Sequence, residues 1–469
     1  MSVTRAEHVT PQFIERLREV MGADQVRTER AECWTYGYDN SRRHAEPAAV
    51  VLPGTHEQVQ RVVGLCHEHR VALVVRGGGT GTAGAAVPTP GGLVLSTERL
   101  NRIRLVDSDN RVMVVEPGVT NQAVQAAAGE AGFFWPPDPT SAAVCTIGGN
   151  LATNAAGPRA VKYGTTRDNV LGLRAVTGDG RDLRTGVYTT KGVVGYDLTR
   201  LLVGAEGTLA VITEANLRLT PLPEARHTLQ AVYADMASAA AAVSRIMAQP
   251  VTPCTLEFMD GKAIAMIRDY AGARLPEAAG ALLMSEVDGP AACIDQAAAA
   301  VAEAACGKGC LEVEQAATAE EVARLWETRK ALSPALRTVA PKKVNEDVVV
   351  PVSRMPNLIE GLDALSQRHG ITIVNFGHAG NGNLHVNLLA DPDAPGQVEA
   401  VERCLGEVFS LVLSLGGTLS GEHGIGSVKR DYVTQELDPV SLDLMWRIKD
   451  QFDPVGILNP GKKLPRRGR

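Results

Sequence analysis

Val71-Ala72-Leu73-Val74-Val75-Arg76-Gly77-Gly78-Gly79-Thr80-Gly81-Thr82-Ala83-Gly84 is the stretch whose reading decides the fold. It opens as an apolar, β-branched run, the pattern of a buried strand. It then breaks into five glycines within eight residues. Glycine permits positive φ and close approach of backbone to a ligand, so successive N–H groups can form an anion-binding nest. Thr80 and Thr82 add hydroxyl donors, and Arg76 adds a fixed positive charge at the mouth. A pyrophosphate would suit such a loop; a plain glycine-rich surface turn is the competing reading. The spacing is not GxxxxGK[ST], which disfavours ATP, and the helix and ribose-binding acid of a dinucleotide-binding Rossmann unit are not evident.

Outward from this loop the pattern is strand, helix, strand. Ala48-Ala49-Val50-Val51-Leu52 reads as a strand ended by Pro53-Gly54. Thr55 then caps a helix with apolar Val59, Val62, Val63, Leu65 and Cys66. Residues 1–45 form a helical lead-in, with Phe13, Leu17 and Val20-Met21 at helical spacing. Downstream, strands are expected at Leu93–Leu95, Ile103–Val106 and Val112–Val115, and a helix at Asn121–Gly129. After Pro136-Pro137-Asp138-Pro139 comes a second Gly/Asn/Thr-rich stretch, Thr146–Gly157, read as a long loop on which a flat ligand could lie. It runs through Lys162-Tyr163-Gly164 to a strand at Val170–Thr177, and Val203–Thr213 is a turn leading into another strand.

A domain spanning 46–222 therefore ends near Thr220-Pro221-Leu222-Pro223, where the texture shifts. Residues 223–440 alternate Ala-rich helices (Met236–Met247, Ala291–Ala305, Glu320–Leu332, Glu399–Leu415) with short strands, among them Ile371–Asn375 and Leu384–Leu389. An α+β domain with an antiparallel sheet is the simplest arrangement. Residues 441–469 make a C-terminal segment.

At 469 residues the chain is too long for one core. A net charge of -6 leaves no basic footprint for nucleic acid. The cationic cluster Lys462 to Arg469 reads as a solvated tail, with attraction to an anionic membrane as the alternative. No secretory signal and no run long enough to span a bilayer is seen, so a cytoplasmic location, with peripheral membrane association open, is expected. The eight cysteines are scattered without metal or iron–sulfur spacing, which suits reduced thiols and an external carrier for any electrons.

The reactive residues lie in the second domain. Phe376-Gly377-His378-Ala379-Gly380-Asn381-Gly382-Asn383-Leu384-His385-Val386-Asn387 places two histidines seven apart across a glycine turn. If the turn folds back, the two imidazoles meet. Further on, Gly421-Glu422-His423-Gly424 offers a carboxylate and a third imidazole, and the chain has only ten histidines. Two histidines and a carboxylate make a site for Zn²⁺, Mn²⁺ or Fe²⁺; ordinary turn histidines and a solvated acid are the alternative. An alcohol is as weak an acid as water, ~15.7, against ~6.5 for imidazole, a gap of about 12 kcal/mol. A metal that lowers a bound water to about 7 closes most of that gap, leaving His423 able to take the proton as hydride departs. For anion capture, Arg329 and Ser333 stand one turn apart on a predicted helix, with Arg337, Lys342 and Lys343 following.

The ordered set Arg76–Gly84, Pro137–Ser141, Thr146–Gly157, Gly204–Thr208, His378–Asn387, Gly421–Gly424 and Asn459–Lys462 resembles the FAD-linked dehydrogenases of the vanillyl-alcohol oxidase / p-cresol methylhydroxylase superfamily. It is similar to the branch holding D-lactate dehydrogenase, D-2-hydroxyglutarate dehydrogenase and the FAD subunit of glycolate oxidase. The resemblance implies an α+β protein with a two-lobed FAD-binding domain, a last segment that returns to it, and an α+β cap domain. It implies FAD contacts from Arg76, Gly77, Gly78, Gly79, Thr80, Gly81 and Thr82 in the first loop, and from Pro137, Asp138, Thr140 and Ser141. The second stretch would add Gly148, Gly149, Asn150, Thr153, Asn154 and Gly157, with Glu206, Gly207, Ile212 and Asn459 completing the set. No histidine stands in the first loop, so FAD is expected to be non-covalent. The resemblance further implies a divalent metal, zinc first, on His378, His385 and Glu422, with His423 as base and hydride passing to flavin N5. Arg329 and Ser333 would hold the substrate carboxylate, with Asn387 nearby. Lys343, in competition with Lys342, would hold a second carboxylate.

The expected activity is oxidation of a D-2-hydroxy acid, D-lactate ahead of D-2-hydroxyglutarate, to the 2-oxo acid. Electrons would leave to a quinone, a cytochrome or an electron-transfer flavoprotein, and a homodimer is compatible with the sequence. The alternatives are a glycolate oxidase FAD subunit that needs partner subunits and, in a different class, a flavin-free metallohydrolase.

Overall fold

In the computed structural model the strand at the head of the glycine run spans Leu73–Arg76. The structure describes residues 9–271, 275–316, 318–330, 332, 335–336, 342–391 and 393–467. The chain divides into two compact units, the first made of Met1–Gly157, Gly164–Leu222 and Glu422–Arg469, the second of Pro158–Tyr163 and Pro223–Gly421. The division after residue 222 falls where the texture of the sequence changes. The return to the first unit comes at Glu422, ahead of residue 441, because Ile425 and Gly426 donate their N–H groups to the buried Glu206 carboxylate.

The first unit holds two sheets. In the smaller, Ala49–Val51, Leu93–Ser96 and Leu73–Arg76 run parallel, with the glycine-loop strand at one edge of the named set and Val26–Arg27 antiparallel at the other. The intervening helix, His56–Glu68, starts where Thr55 accepts the Gln58 N–H at 3.2 Å. Its Val59, Val62, Val63 and Cys66 bury against Phe13, Leu17 and Met21 of the helix Pro11–Met21. Each large side chain buried in this way contributes roughly 1.5–3 kcal/mol. The second sheet is antiparallel, in the order Ile103–Asp107, Val112–Val115, Ala210–Arg218, Val170–Thr177, Asp182–Gly186.

The C-terminal segment closes the first sheet. Leu73 donates to Ile457 O and accepts from Asn459 N, both at 2.8 Å, so the chain end runs parallel beside the glycine-loop strand. Asp453 holds it there. Its buried carboxylate accepts N–H groups from Gly456, Ile457 and Leu458 and pairs with the Lys449 ammonium, which also donates to Thr208 O and Leu458 O. Burial lowers the pKa of that ammonium, and the carboxylate opposes the shift.

The second unit is built on a seven-stranded antiparallel sheet. Its order is Cys310–Ala316, Ala225–Tyr233, Ala281–Gly289, Thr255–Asp260, Thr372–His378, Asn383–Ala390, Lys342–Val349. Three of these strands, Ala225–Tyr233, Thr255–Asp260 and Cys310–Ala316, do not stand out in the sequence, because buried polar residues such as Glu257 and Gln230 interrupt their apolar pattern. The helices Gly261–Ala271 and Ala319–Lys330 bring Ile264, Ile267, Leu325 and Trp326 against Met259, Met284, Val374 and Phe376 on one face. Among the described residues no helix is long and apolar enough to cross a membrane.

Asp453→Ala leaves a buried ammonium unpaired and frees three N–H groups, so a loss of about 3–5 kcal/mol is expected in urea unfolding of the holoprotein. A loss below about 1 kcal/mol, the size of a surface pair, would show that Asp453 does not hold the chain end.

Candidate active site

Beyond Arg76 the chain has no regular structure, and the main-chain N–H groups of Gly77 through Thr82 meet no acceptor among the described residues. The carbonyls are turned the other way: Asn40 donates its backbone N–H to Gly81 O at 2.9 Å and its amide to Thr80 O at 3.2 Å. A run of N–H groups left without a protein partner is what a pyrophosphate needs. The loop lies against the second glycine-rich stretch. A Cβ on Gly77 would stand 2.2 Å from Thr146 Oγ1, and one on Gly78 2.4 Å from Val144 O, while Gly81 faces open space. Arg76 does not stand at the mouth as a free cation. It is buried, donates to Tyr38 O, and packs beside the rings of Tyr36 and Tyr38; burial lowers its pKa.

The second stretch is not wholly a loop. Thr146 accepts the Gly149 N–H and caps a short helix, Ile147–Thr153, which Asn154 ends in the left-handed conformation at φ 56. Its two glycines, poor helix formers, hide the helix in the sequence. Asn150 accepts from Asn121, which also donates to Pro137 O. Thr153 donates to Gly149 O, Asp138 donates its N–H to Ala156 O, and Asn154 Oδ1 accepts from Arg167 N and Thr165. Thr140 and Ser141 sit half-buried or exposed ahead of the cap, where Ser141 O accepts from Val144 and Cys145. Ile212 is half-buried in the strand Ala210–Arg218.

Glu206 is the hub of this region. It is 3% exposed, at φ 54, and its carboxylate accepts Ile425 N at 2.9 Å, Gly426 N at 2.6 Å and Lys463 Nζ at 3.3 Å. A Cβ on Gly424 would come within 3.0 Å of it. Asn459 donates its amide to Glu206 O and Ala85 O and accepts from Lys462, whose ammonium burial pushes down to about 8. Gly207 continues the turn at φ +69. Glu422 accepts the Gly157 N–H at 2.8 Å, and His423 is half-buried beside it.

In the second unit the hairpin Thr372–His378 to Asn383–Ala390 brings the two imidazoles together, ring centres 5.2 Å apart and edge to face. Gly382, at φ +68, is needed at the turn, where a Cβ would meet Val350 O at 2.0 Å. His378 Nδ1 lies 2.5 Å from Glu257 Oε1, so a carboxylate fixes that ring. Asn387 shares the face of His385; its amide nitrogen donates to Val374 O and His385 O, and its Oδ1 has no partner among the described residues.

Asp347, opposite His385 in register, accepts from Asn383, Ser420 Oγ and Gly421 N, and so holds the residues leading to Glu422. Neither Glu257 nor Asp347 is found by sequence reasoning. Glu257 lies 121 residues from its histidine, and Asp347 sits in a strand that reads as β-branched. Lys343 is half-buried on the same face, opposite Leu389. Arg329 is on the helix Ala319–Lys330, whose Leu325 and Trp326 pack on that face; its side chain, and the whole of Ser333, lie outside the described residues. Lys162 and Tyr163 both bond to Asp288, at 2.5 and 2.8 Å.

Comparison with known proteins gives the family and the fold. Residues 222–463 match the model of FAD linked oxidases, C-terminal domain, and residues 47–186 that of an FAD binding domain. The chain is 40% identical over 463 residues to the glycolate oxidase subunit GlcD of Bacillus subtilis (strain 168), covering 98% of each. It is 39% identical to a D-lactate dehydrogenase of Archaeoglobus fulgidus, covering 90% of this chain and 92% of that one. It is 34% identical to a D-2-hydroxyglutarate dehydrogenase of Stutzerimonas stutzeri, covering 96% and 98%. Among solved structures the fold is shared with p-cresol methylhydroxylase, at TM-score 0.80 and 18% identity over 97% of this chain and 96% of that one. It is shared too with 4-ethylphenol oxidase from Gulosibacter chungangensis, at 0.78 and 20% over 98% of each.

Gly78→Val drives a branched side chain into the Val144 carbonyl and so displaces the loop. FAD retention should fall at least about tenfold, or ~1.4 kcal/mol, read as flavin absorbance per protein after dialysis. Full flavin content in that variant would place the cofactor elsewhere.

Proposed function

The chain belongs to the family of FAD-linked oxidases, and from that premise we propose that it oxidises a D-2-hydroxy acid, D-lactate ahead of D-2-hydroxyglutarate, to the 2-oxo acid. The observation that carries the reading is the His378–His385 pair, buried, edge to face and fixed by Glu257, in a chain whose glycine loop fits a pyrophosphate. When bound, FAD supplies the hydride acceptor and a divalent cation, zinc first, supplies Lewis acidity. His378, His385 and Glu422 would hold that cation. Two imidazoles and a carboxylate would suit Zn²⁺, Mn²⁺ or Fe²⁺, and the Glu257 bond to Nδ1 would orient the His378 ring for such a role. His423 would take the hydroxyl proton, Arg329 with Ser333 would clamp the carboxylate, and Asn387 would accept from the substrate through its bare Oδ1. Lys343, in competition with Lys342, would hold a second carboxylate, should the substrate carry one.

Glycolate is the second reading, favoured by the Bacillus relative, which is named as a subunit. In that case turnover needs partner subunits, whereas flavin reduction by substrate does not. In both, electrons leave to an external acceptor. A flavin-free hydrolase is set aside with family membership.

An anaerobic panel of D- and L-hydroxy acids and glycolate, scored by flavin bleaching, should show D-lactate fastest; preference for an L-acid would overturn the reading. His423→Ala should keep its FAD and slow bleaching by about 10²–10⁴. Normal bleaching in that variant would remove His423 as the base. Chelator treatment should abolish bleaching, with Zn²⁺, Mn²⁺ or Fe²⁺ restoring it, and His378→Ala should lose bound metal by elemental analysis. Full bleaching in metal-stripped protein would end the metal's role.

A further inference from the structure

Twelve consecutive residues, Gly186 to Asp197, are exposed, and they carry no helix or strand beyond the glycine that ends Asp182–Gly186. At the tip Val193, Val194 and Tyr196 are 97%, 99% and 97% exposed. Side chains of this kind held wholly in water mark a surface that something covers. The feet of the loop are fixed. Gly186 turns at φ +71, where a Cβ would meet Leu171 O at 2.1 Å, and Val187 donates to that same carbonyl. Tyr188 donates to Asp107 at 2.8 Å, Thr199 donates to Thr185 at 2.9 Å, and Asp197 caps the helix Leu198–Leu202. The tip is therefore presented on a braced frame.

The charges choose the partner. From Leu183 to Tyr196 there are two cations, Arg184 and Lys191, and no acid, in a chain of net charge -6. Neither cation makes an ion pair or side-chain hydrogen bond among the described residues. The flanking acids are committed: Asp182 to Arg174, Asp197 to its helix. Two valines and a tyrosine that directly follow Lys191, with Arg184 in the strand that leads into the loop, match the interface of an anionic bilayer, where tyrosine sits at headgroup level and lysine meets phosphate. We propose that the Gly186–Asp197 loop docks this protein on an anionic lipid surface, with Val193, Val194 and Tyr196 entering the headgroup region and Lys191 and Arg184 facing the lipid phosphates.

The test is sedimentation of the FAD-loaded full chain with vesicles of phosphatidylcholine and phosphatidylglycerol, against phosphatidylcholine alone. Binding is expected only to the anionic vesicles, and released by salt. Lys191→Gln should weaken it about fivefold. Val193→Asp with Val194→Asp should weaken it at least about tenfold, with FAD content and melting temperature unchanged. Absence of wild-type binding, or equal binding by the valine variant, overturns the proposal. So does light scattering that shows a wild-type dimer and a monomeric valine variant, which would make the loop a contact between copies of the chain.

Discussion

A buried carboxylate that accepts from three donors is the constraint on which the first unit depends. Glu206 takes two backbone N–H groups and an ammonium, and its own carbonyl takes the Asn459 amide. Removing such an acceptor strands the Ile425 and Gly426 N–H groups, at about 1–3 kcal/mol each. The three segments it ties together are far apart in sequence: the turn at 204–207, the chain's return at 424–426 and the C-terminal segment at 459–463. Glu422 and His423 immediately precede the amides that it holds. Fixing residues 425 and 426 limits where their neighbours can go.

The second unit solves a different problem, which is how to keep polar side chains inside a sheet. The face bearing His378, His385 and Asn387 also bears Glu257, Glu286 and Asp347 by register. Each is satisfied locally: Glu257 by His378, Glu286 by the Trp326 indole and Thr228, Asp347 by Asn383, Ser420 and Gly421. Apolar packing from Leu325, Trp326, Ile264 and Ile267 takes over where the polar strip ends. A face split in this way rigidifies its histidines while the other half of the sheet supplies the burial energy.

How much of this was legible in the sequence depends on range. The glycine loop, the capped helix after Thr55 and the hairpin of histidines are local: periodicity, caps and turn glycines all lie within a few residues of what they shape. Glu206 was picked out only through family resemblance, as a cofactor contact, and the structure gives it a long-range role as a brace for the backbone. Arg76 illustrates the limit: its charge is visible in the sequence, but the Tyr36 and Tyr38 rings that enclose it come from another segment. The strand Thr255–Asp260 is hidden for the same reason, since Glu257 reads as solvent-facing until His378 is placed beside it.

Backbone strain follows the same map. Seven non-glycine residues among those described have positive φ, and three of them, Glu206, Asn459 and Lys463, belong to one network. A fourth, Asn154, caps the helix behind the glycine loop. A non-glycine residue in the left-handed region costs on the order of 1–3 kcal/mol and persists only where its surroundings over-determine it. Asparagine tolerates that region through local hydrogen bonds, which accounts for Asn154 and Asn459. A glutamate has no such allowance. That Glu206 stays there, when glycine would relieve the backbone, means that the carboxylate's bonds to Ile425, Gly426 and Lys463 outweigh the strain, so side chain and backbone are selected together at that position.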